Sequence, residues 1–308
     1  MSVLVAVSPL QGEPYFDALS RIPGLTVWRE DENPPPEQVE AILAWRMKDG
    51  FVGRFPNLRM ISAIGAGVDK IVTATDLPAS LAVTRIVDPN QGVEIAQYVV
   101  AQALRVTRDL PLYAQQQARA EWVRHPVRPA SACRVGILGI GQVGQAIARA
   151  FMPLGYPVAG WSRSAHAIEG IECFAGEAQL PAMLARTDIL VCALPLTPAT
   201  RGLLNRALLS QLPRGAMVIN IGRGEQLVED DLRALLDEGH LGAAALDVFE
   251  REPPKPDNWV WSHPKVAATP HIAAQASYDE VALQVGDSLA RLRRGEGAGD
   301  EVGRAAGD

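Results

Sequence analysis

The sequence predicts an α/β chain of two doubly wound, parallel-sheet units, and three observations carry that prediction. Short, continuous apolar runs recur between Pro-, Gly- and Asp-rich turns, the pattern of strands buried on both faces. These runs fall into two sets separated by one long helical stretch. The chain has 308 residues, enough for two ordinary domains of roughly 100–200 residues each.

In the first set, VLVAV (3–7), LTVW (25–28), AILAW (41–45), RMISAI (59–64) and LAVTRI (81–86) read as strands. NPPPEQ (33–38) reads as a loop, because consecutive prolines prevent an ordinary helix. From 94 to 122 the pattern becomes helical, and Pro111 must kink or break that helix. A second alternating set opens at RVGILGIG (134–141) and runs through PVAGW, DILVCALP, AMVINIG, AAALDVF and KVAATP. After Ala273 a helix returns, ASYDEVALQVGDSLARLRRG. The closing GEGAGDEVGRAAGD has too little apolar content to pack by itself and is expected to be disordered. No fixed-period repeat interrupts this grammar.

Composition narrows the function classes. Hydrophobic residues make up 48% and charged residues 21%, values of a folded globular chain. A net charge of −6 and a pI near 5.5 argue against a nucleic-acid partner. An anionic substrate would therefore be captured by local cations. The three cysteines, Cys133, Cys173 and Cys192, lack metal-type spacing and fit reduced thiols in a cytoplasmic compartment. The five histidines lack zinc spacing and there is no GxSxG, so neither a metal enzyme nor a serine hydrolase is expected. No signal peptide and no apolar stretch of the roughly 18 residues that suit a membrane span is visible.

The sharpest local motif is Gly139-Ile140-Gly141-Gln142-Val143-Gly144, which follows one strand and opens a helix. In that context it reads as the phosphate loop of a Rossmann-like unit. Glycines tighten the turn and admit a pyrophosphate to the helix N-terminus. The next strand, PVAGW, ends in Ser162-Arg163-Ser164. An NAD-binding protein usually carries an acid at this place; a guanidinium between hydroxyls suits a 2′-phosphate. The expected cofactor is therefore NADPH/NADP in preference to NADH/NAD, although a solvated loop arginine would look the same.

Three later strand ends carry charged or titratable groups: NIGRGE with Arg223, LDVFEREP with Asp247 and Glu252, and TPHIAA with His271. In doubly wound sheets, ligands bind beyond the carboxyl ends of the strands, so these groups are expected to share one crevice. Reduction of a carbonyl by a nicotinamide needs a hydride, a proton for the forming alkoxide and a cation near the growing negative charge. A histidinium beside a carboxylate, and a planar guanidinium, are suitable suppliers of the last two. Taken alone, His271 reads equally well as a structural histidine.

With GIGQVG, LPLTPATRGLLN, NIGRGE, LDVFEREP and TPHIAA in this order, nearly the whole chain resembles the D-isomer-specific 2-hydroxyacid dehydrogenases. The resemblance implies that Arg223 binds and polarises the 2-oxo acid, and that Glu252 pairs with His271, the proton donor. It places further dinucleotide contacts on Leu194, Pro195, Thr200, Ile221 and Gly222, and on Arg223 and His271 themselves. The nicotinamide amide contact falls on Asp247. A glutamine at 252 would have pointed to the formate-oxidising branch. The Gly-rich stretch 64–69 resembles the family's substrate-carboxylate loop, with Ala66 and Gly67 offering backbone N–H groups. Trp45 and Arg46 end the preceding strand, where Trp45 would narrow the pocket and Arg46 would add a cation. Read without the family, these are a turn, a packed strand end and a surface charge.

The family layout further implies an interdomain active-site cleft. It divides the chain into a discontinuous substrate domain, 1–97 plus 272–308, and a dinucleotide-binding domain, 98–271. It also implies a homodimer formed through the long helical stretch, whose apolar face is alternatively satisfied within one chain. The combination AWRM, GAGVDK, WSRS and PHIAA is most similar to the bacterial branch that reduces glyoxylate and hydroxypyruvate. Two other functions stay open: a dehydrogenase for another D-2-hydroxy acid of lactate or phosphoglycerate type, and a non-enzymatic, cofactor-sensing binding module.

Overall fold

Parallel strands must be covered on both faces, and alternation along each strand supplies an apolar side chain to each cover. The computed structural model describes residues 1–7, 12–75 and 77–302. The chain divides into two units: Met1–Pro89 with Gln275–Asp308, and Asn90–Ala274.

The first unit contains β1 (Ser2–Ala6), α1 (Glu13–Ser20), β2 (Thr26–Arg29), β3 (Ala41–Ala44), β4 (Met60–Ala63), α2 (Asp69–Val72) and β5 (Ala82–Thr84). Its sheet is parallel, in the order β2-β1-β3-β4-β5. On β1, Val3 and Val5 face a cluster with Leu19 of α1 and with Val285 and Leu289 from the end of the chain. Leu4 and Ala6 point the other way, to Ile42, Ile61 and Phe55.

The second unit contains α3 (Gln91–Thr107), α4 (Leu110–Ala118), β6 (Val135–Leu138), α5 (Gln142–Phe151), β7 (Val158–Ser162), β8 (Glu172–Ala175) and α6 (Gly176–Leu184). It continues with β9 (Ile189–Cys192), α7 (Arg206–Leu209), β10 (Ala216–Asn220), α8 (Glu229–Asp237), β11 (Leu241–Leu246) and β12 (Val266–Ala268). The chain then returns to the first unit with α9 (Tyr278–Arg293).

The second sheet is also parallel, in the order β12-β11-β10-β9-β6-β7-β8. β6 is the strand from which the order runs outward in both directions. The crevice beyond β6 and β9 is therefore the topological switch point where such sheets bind ligands. One face packs on α3 and α5 through Ile95, Val99, Ile147 and Phe151. The other packs on α6 and α8 through Met183, Leu184, Leu232 and Leu235.

Three expectations need correction. The helical stretch, expected to reach about Trp122, ends at Ala118 and splits into α3 and α4 at Asp109, whose φ is 53°. The ring of Pro111 clashes with a helical carbonyl four residues earlier, so the break falls ahead of the proline, which then sits in the first turn of α4. The strand β8 joins the sheet edge although ECFA shows no continuous apolar run. The closing segment, expected to be disordered, is held through residue 302. Asp300 O accepts from Arg85 N, Val302 N donates to Val83 O, Glu301 bridges Thr84 in antiparallel fashion, and Ala298 is buried. Residues 303–308 lie outside the described residues.

Candidate active site

The phosphate loop owes its shape to two close approaches. Gly139 has φ +93°, and a Cβ there would lie 2.7 Å from Ala193 O. At Gly144 a Cβ would lie 1.9 Å from Gly139 O, so helix and loop touch only because that side chain is absent. Gly141 differs: a Cβ there would meet nothing within 4 Å, which leaves open space in front of the helix. Gly141 is the N-cap of α5 and supplies no side-chain cap. Among the described residues, the first N–H groups of α5, at Gln142 and Val143, thus face a cradle with no acceptor. These features fit a dinucleotide pyrophosphate.

The β7 end lies beside this loop, since Gly139 N donates to Trp161 O over 2.9 Å. Ser162 Oγ donates to Ser164 O at 2.7 Å and closes the turn that carries Arg163. Arg163 is exposed and, among the described residues, its guanidinium makes no ion pair. No carboxylate occupies positions 162–164.

Arg223 follows β10 in a loop folded by two fully buried amides. Asn220 Oδ1 accepts from Gly222 N at 3.2 Å and its Nδ2 donates to Arg223 O at 3.1 Å. Gln226 Oε1 accepts from Arg223 N at 2.8 Å, while its Nε2 donates to Leu194 O at 2.9 Å and Pro195 O at 3.0 Å. That one side chain joins the β9 and β10 loops, and with them Leu194, Pro195, Ile221 and Gly222. Thr200 Oγ1 closes the neighbouring turn by donating to Pro195 O at 2.7 Å. Nothing in the sequence marks Gln226, because its role depends on burial rather than on a motif.

Gly224 explains how the Arg223 loop meets the next one. A Cβ on Gly224 would stand 1.8 Å from the Phe249 carbonyl carbon and 2.1 Å from Glu250 N. Beyond that contact, Glu252 Oε1 accepts from Phe249 N at 3.2 Å and from His271 Nδ1 at 3.0 Å. A carboxylate oxygen accepts, so Nδ1 carries the hydrogen. The His271 and Glu252 side chains are 25% and 13% exposed, a semi-enclosed pair open to a small molecule. His271 itself has φ 56°, a region that side-chain-bearing residues rarely adopt.

Asp247 sits behind that pair and is 1% exposed. Its carboxylate accepts from Thr269 Oγ1 at 2.6 Å, Ile272 N at 2.9 Å and Ala273 N at 2.8 Å, while its carbonyl accepts from His271 N at 2.9 Å. The residue expected to meet a nicotinamide amide is thus engaged in holding the turn that bears His271. Tyr98, from α3, reaches Thr269 Oγ1 at 2.7 Å; Tyr98 carries no sequence signal, and Thr269 opens the TPHIAA motif without being singled out in it.

In the first unit, Trp45 and Arg46 directly follow β3, and Lys70 Nζ stands 5.0 Å over the Trp45 ring. Met47 N donates to Lys70 O at 3.0 Å and fastens this loop to the 64–68 loop and α2. Arg46 is exposed and Trp45 half-buried. Ala66 and Gly67 are half-buried, and among the described residues their N–H groups have no acceptor within the protein.

A phosphate cradle, an imidazole–carboxylate pair and a guanidinium at neighbouring strand ends of one parallel sheet define a dinucleotide-dependent dehydrogenase. A family model for D-isomer specific 2-hydroxyacid dehydrogenase, NAD binding domain, matches residues 100–273. Glyoxylate/hydroxypyruvate reductase A of Klebsiella pneumoniae strain 342 is 36% identical over 295 residues, 93% of each chain. The chain belongs to the D-isomer specific 2-hydroxyacid dehydrogenase family. Two solved structures resemble it over its whole length. A family member from Xanthobacter autotrophicus Py2, in complex with NADPH and MES, is 38% identical with a TM-score of 0.84, covering 100% of this chain and 99% of that one. The NADPH-dependent glyoxylate/hydroxypyruvate reductase of Sinorhizobium meliloti, in complex with NADP and sulfate, is 35% identical with a TM-score of 0.88, again covering 100% and 99%.

Proposed function

We propose that this protein reduces small 2-oxo acids, glyoxylate to glycolate and hydroxypyruvate to glycerate, with NADPH. The observation that carries the reading is the His271–Glu252 pair at 3.0 Å, set beside the Arg223 loop in a sheet that ends in a phosphate cradle. Relatives described as glyoxylate/hydroxypyruvate reductases over almost the full chain support the substrate class.

The bound nicotinamide supplies the hydride; the rest falls to side chains of this chain. Arg223 binds the substrate carboxylate and stabilises negative charge growing on the carbonyl oxygen. His271 donates the Nε2 proton to that oxygen as general acid. Glu252 holds the ring through Nδ1–H and so fixes its tautomer and orientation. Ala66 and Gly67 offer N–H groups to the substrate carboxylate, Arg46 adds positive charge, and Trp45 limits the size of what binds. Gly139, Gly141, Gln142, Val143 and Gly144 hold the pyrophosphate, and Leu194, Pro195, Thr200, Ile221, Gly222 and Asp247 border the nicotinamide half. Ser162, Arg163 and Ser164 bind the 2′-phosphate.

The test is a steady-state comparison of glyoxylate, hydroxypyruvate, pyruvate and a phosphorylated 2-oxo acid with NADPH and NADH. The two small substrates with NADPH are expected to give the highest kcat/KM. A preference for pyruvate or the phosphorylated acid would move the protein to another branch, and no turnover with any acid would overturn the enzymatic reading.

We also infer a homodimer in a cytoplasmic setting. What supports the dimer is Trp122, 96% exposed, with Val123 and Val127 exposed beside it and Leu110 exposed on α4. Such apolar surface suits a second copy of the chain. A monomer mass in light scattering at micromolar concentration would overturn that part. Among the described residues no helix is long and apolar enough to cross a membrane.

A further inference from the structure

The hydrogen bonds behind His271 lead out of the reacting region to a helix that touches none of the reactants. Thr269 Oγ1 lies 2.6 Å from Asp247 Oδ1 and 2.7 Å from Tyr98 OH. A carboxylate accepts, so the one hydroxyl proton of Thr269 goes to Asp247. Thr269 Oγ1 then has only lone pairs to offer, and Tyr98 must be the donor between them. Both bonds in this chain point one way, from Tyr98 through Thr269 to Asp247.

At the far end, Asp247 does two things to the turn that carries His271. Its carboxylate takes the N–H groups of Ile272 and Ala273, the residues that follow the histidine. Its backbone carbonyl takes the N–H of His271. The histidine at φ 56° is thus tied on both sides, and such a conformation persists only where its surroundings over-determine it. Burial pushes the Tyr98 hydroxyl up to about 12 against the opposing pull of its Thr269 bond, so it remains a donor through the neutral range.

We propose that Tyr98 and Thr269 are positioning residues for the acid–base group: their directional chain fixes Asp247, and Asp247 fixes the 269–273 turn that sets the His271 ring on Glu252. This rests on the proposed role of His271 as general acid, but the arrangement itself is testable without turnover. Removing the Tyr98 hydroxyl leaves Thr269 free to rotate its proton away from Asp247 and loosens the turn. The imidazole then samples orientations that do not meet Glu252.

The experiment uses the full chain and the variants Tyr98→Phe, Thr269→Val and Thr269→Ser. The readouts are kcat with NADPH and glyoxylate, NADPH affinity by fluorescence, and the imidazole ¹⁵N–¹H spectrum of the cofactor-free protein, with His271 assigned by its loss in His271→Asn. Tyr98→Phe and Thr269→Val are expected to lower kcat about tenfold, to keep NADPH affinity within about twofold and to move the His271 signal. Thr269→Ser, which keeps the hydroxyl, restores all three. An unmoved His271 signal with unchanged kcat overturns the proposal. So does a fall of kcat in step with NADPH affinity and melting temperature, or a serine variant as impaired as the valine. If Thr269→Val does not fold, Tyr98→Phe decides. If the wild type reduces no 2-oxo acid, the proposed function falls, while the spectrum still decides whether the chain positions His271.

Discussion

Glu252 Oε1 is shared between the His271 ring and the Phe249 amide, so the carboxylate is fixed by backbone while it steers the imidazole. A glutamine there keeps an oxygen for both bonds but removes the charge. The charge that holds the ring is gone, and kcat in Glu252→Gln is expected to fall about tenfold or more, with NADPH affinity little changed. Steady-state kinetics check this, and a fully active glutamine variant would show that the charge of Glu252 is not needed. Arg163 gives a second test at the same scale. A charge-assisted bond to a 2′-phosphate contributes ~1.5–3 kcal/mol, so Arg163→Ala should weaken NADPH binding about tenfold or more, less at high salt, with NADH nearly unaffected. Equal losses for both cofactors would sink the assignment. Arg223, Glu252 and His271 stood out in the sequence through the motifs that carry them, and the structure brings the last two together. Tyr98 did not: it meets Thr269 from 171 residues away, and an aromatic on a buried helix face reads as core.

Among the elements, the loops after β9, β10 and β11 form one connected assembly, and Gly224 is the point where two of them abut. The Cβ of Gly224→Ala would collide with main chain of Phe249 and Glu250, which has no rotamer through which to yield. The cost of such overpacking is about 1–3 kcal/mol, with Arg223 displaced from its place in the loop. Calorimetry and kcat should fall together in this variant; a stable, fully active alanine variant would show that the loops can separate. The strands in both sheets were legible because buried parallel strands are continuous apolar runs. β8 was not, since an edge strand with a half-exposed ECFA is not pressed to be apolar. The split between α3 and α4 was legible in kind but not in place, because a proline acts on the carbonyl four residues before it.

For the whole molecule, two carboxylates join distant parts of the chain and should govern its acid stability. Desolvation pushes the Asp188 carboxyl up, but Arg134 and Arg128 more than offset this and hold it below its ordinary 3.8. In the other unit desolvation likewise acts against Glu40, and Arg293, the N-terminal amine and Ser2 N together hold it below 4.5. A carboxyl depressed in the folded state adds stability that is complete above its unfolded value and is lost as pH falls through its folded value. The melting temperature of the wild type should therefore fall steeply below about pH 4. In Asp188→Asn it should start lower at neutral pH and fall less on acidification. An identical acid slope in the two proteins would remove Asp188 from this account.

The pairing of residues 300–302 with β5 has a consequence for how the protein behaves in crowded solution. β5 is the last strand of its sheet, and a bare parallel edge is a template on which another chain can add a strand. The antiparallel bridge from Glu301 to Thr84 and the bond from Val302 N to Val83 O occupy that template. A polar, glycine-rich stretch too poor in apolar residues to make a core is well suited to this task, because it can lie along an edge without presenting a sticky surface of its own. Removing the chain beyond residue 295 would leave the sheet folded and its margin uncovered, so the shortened protein should retain its secondary structure yet self-associate on storage, as turbidity would report.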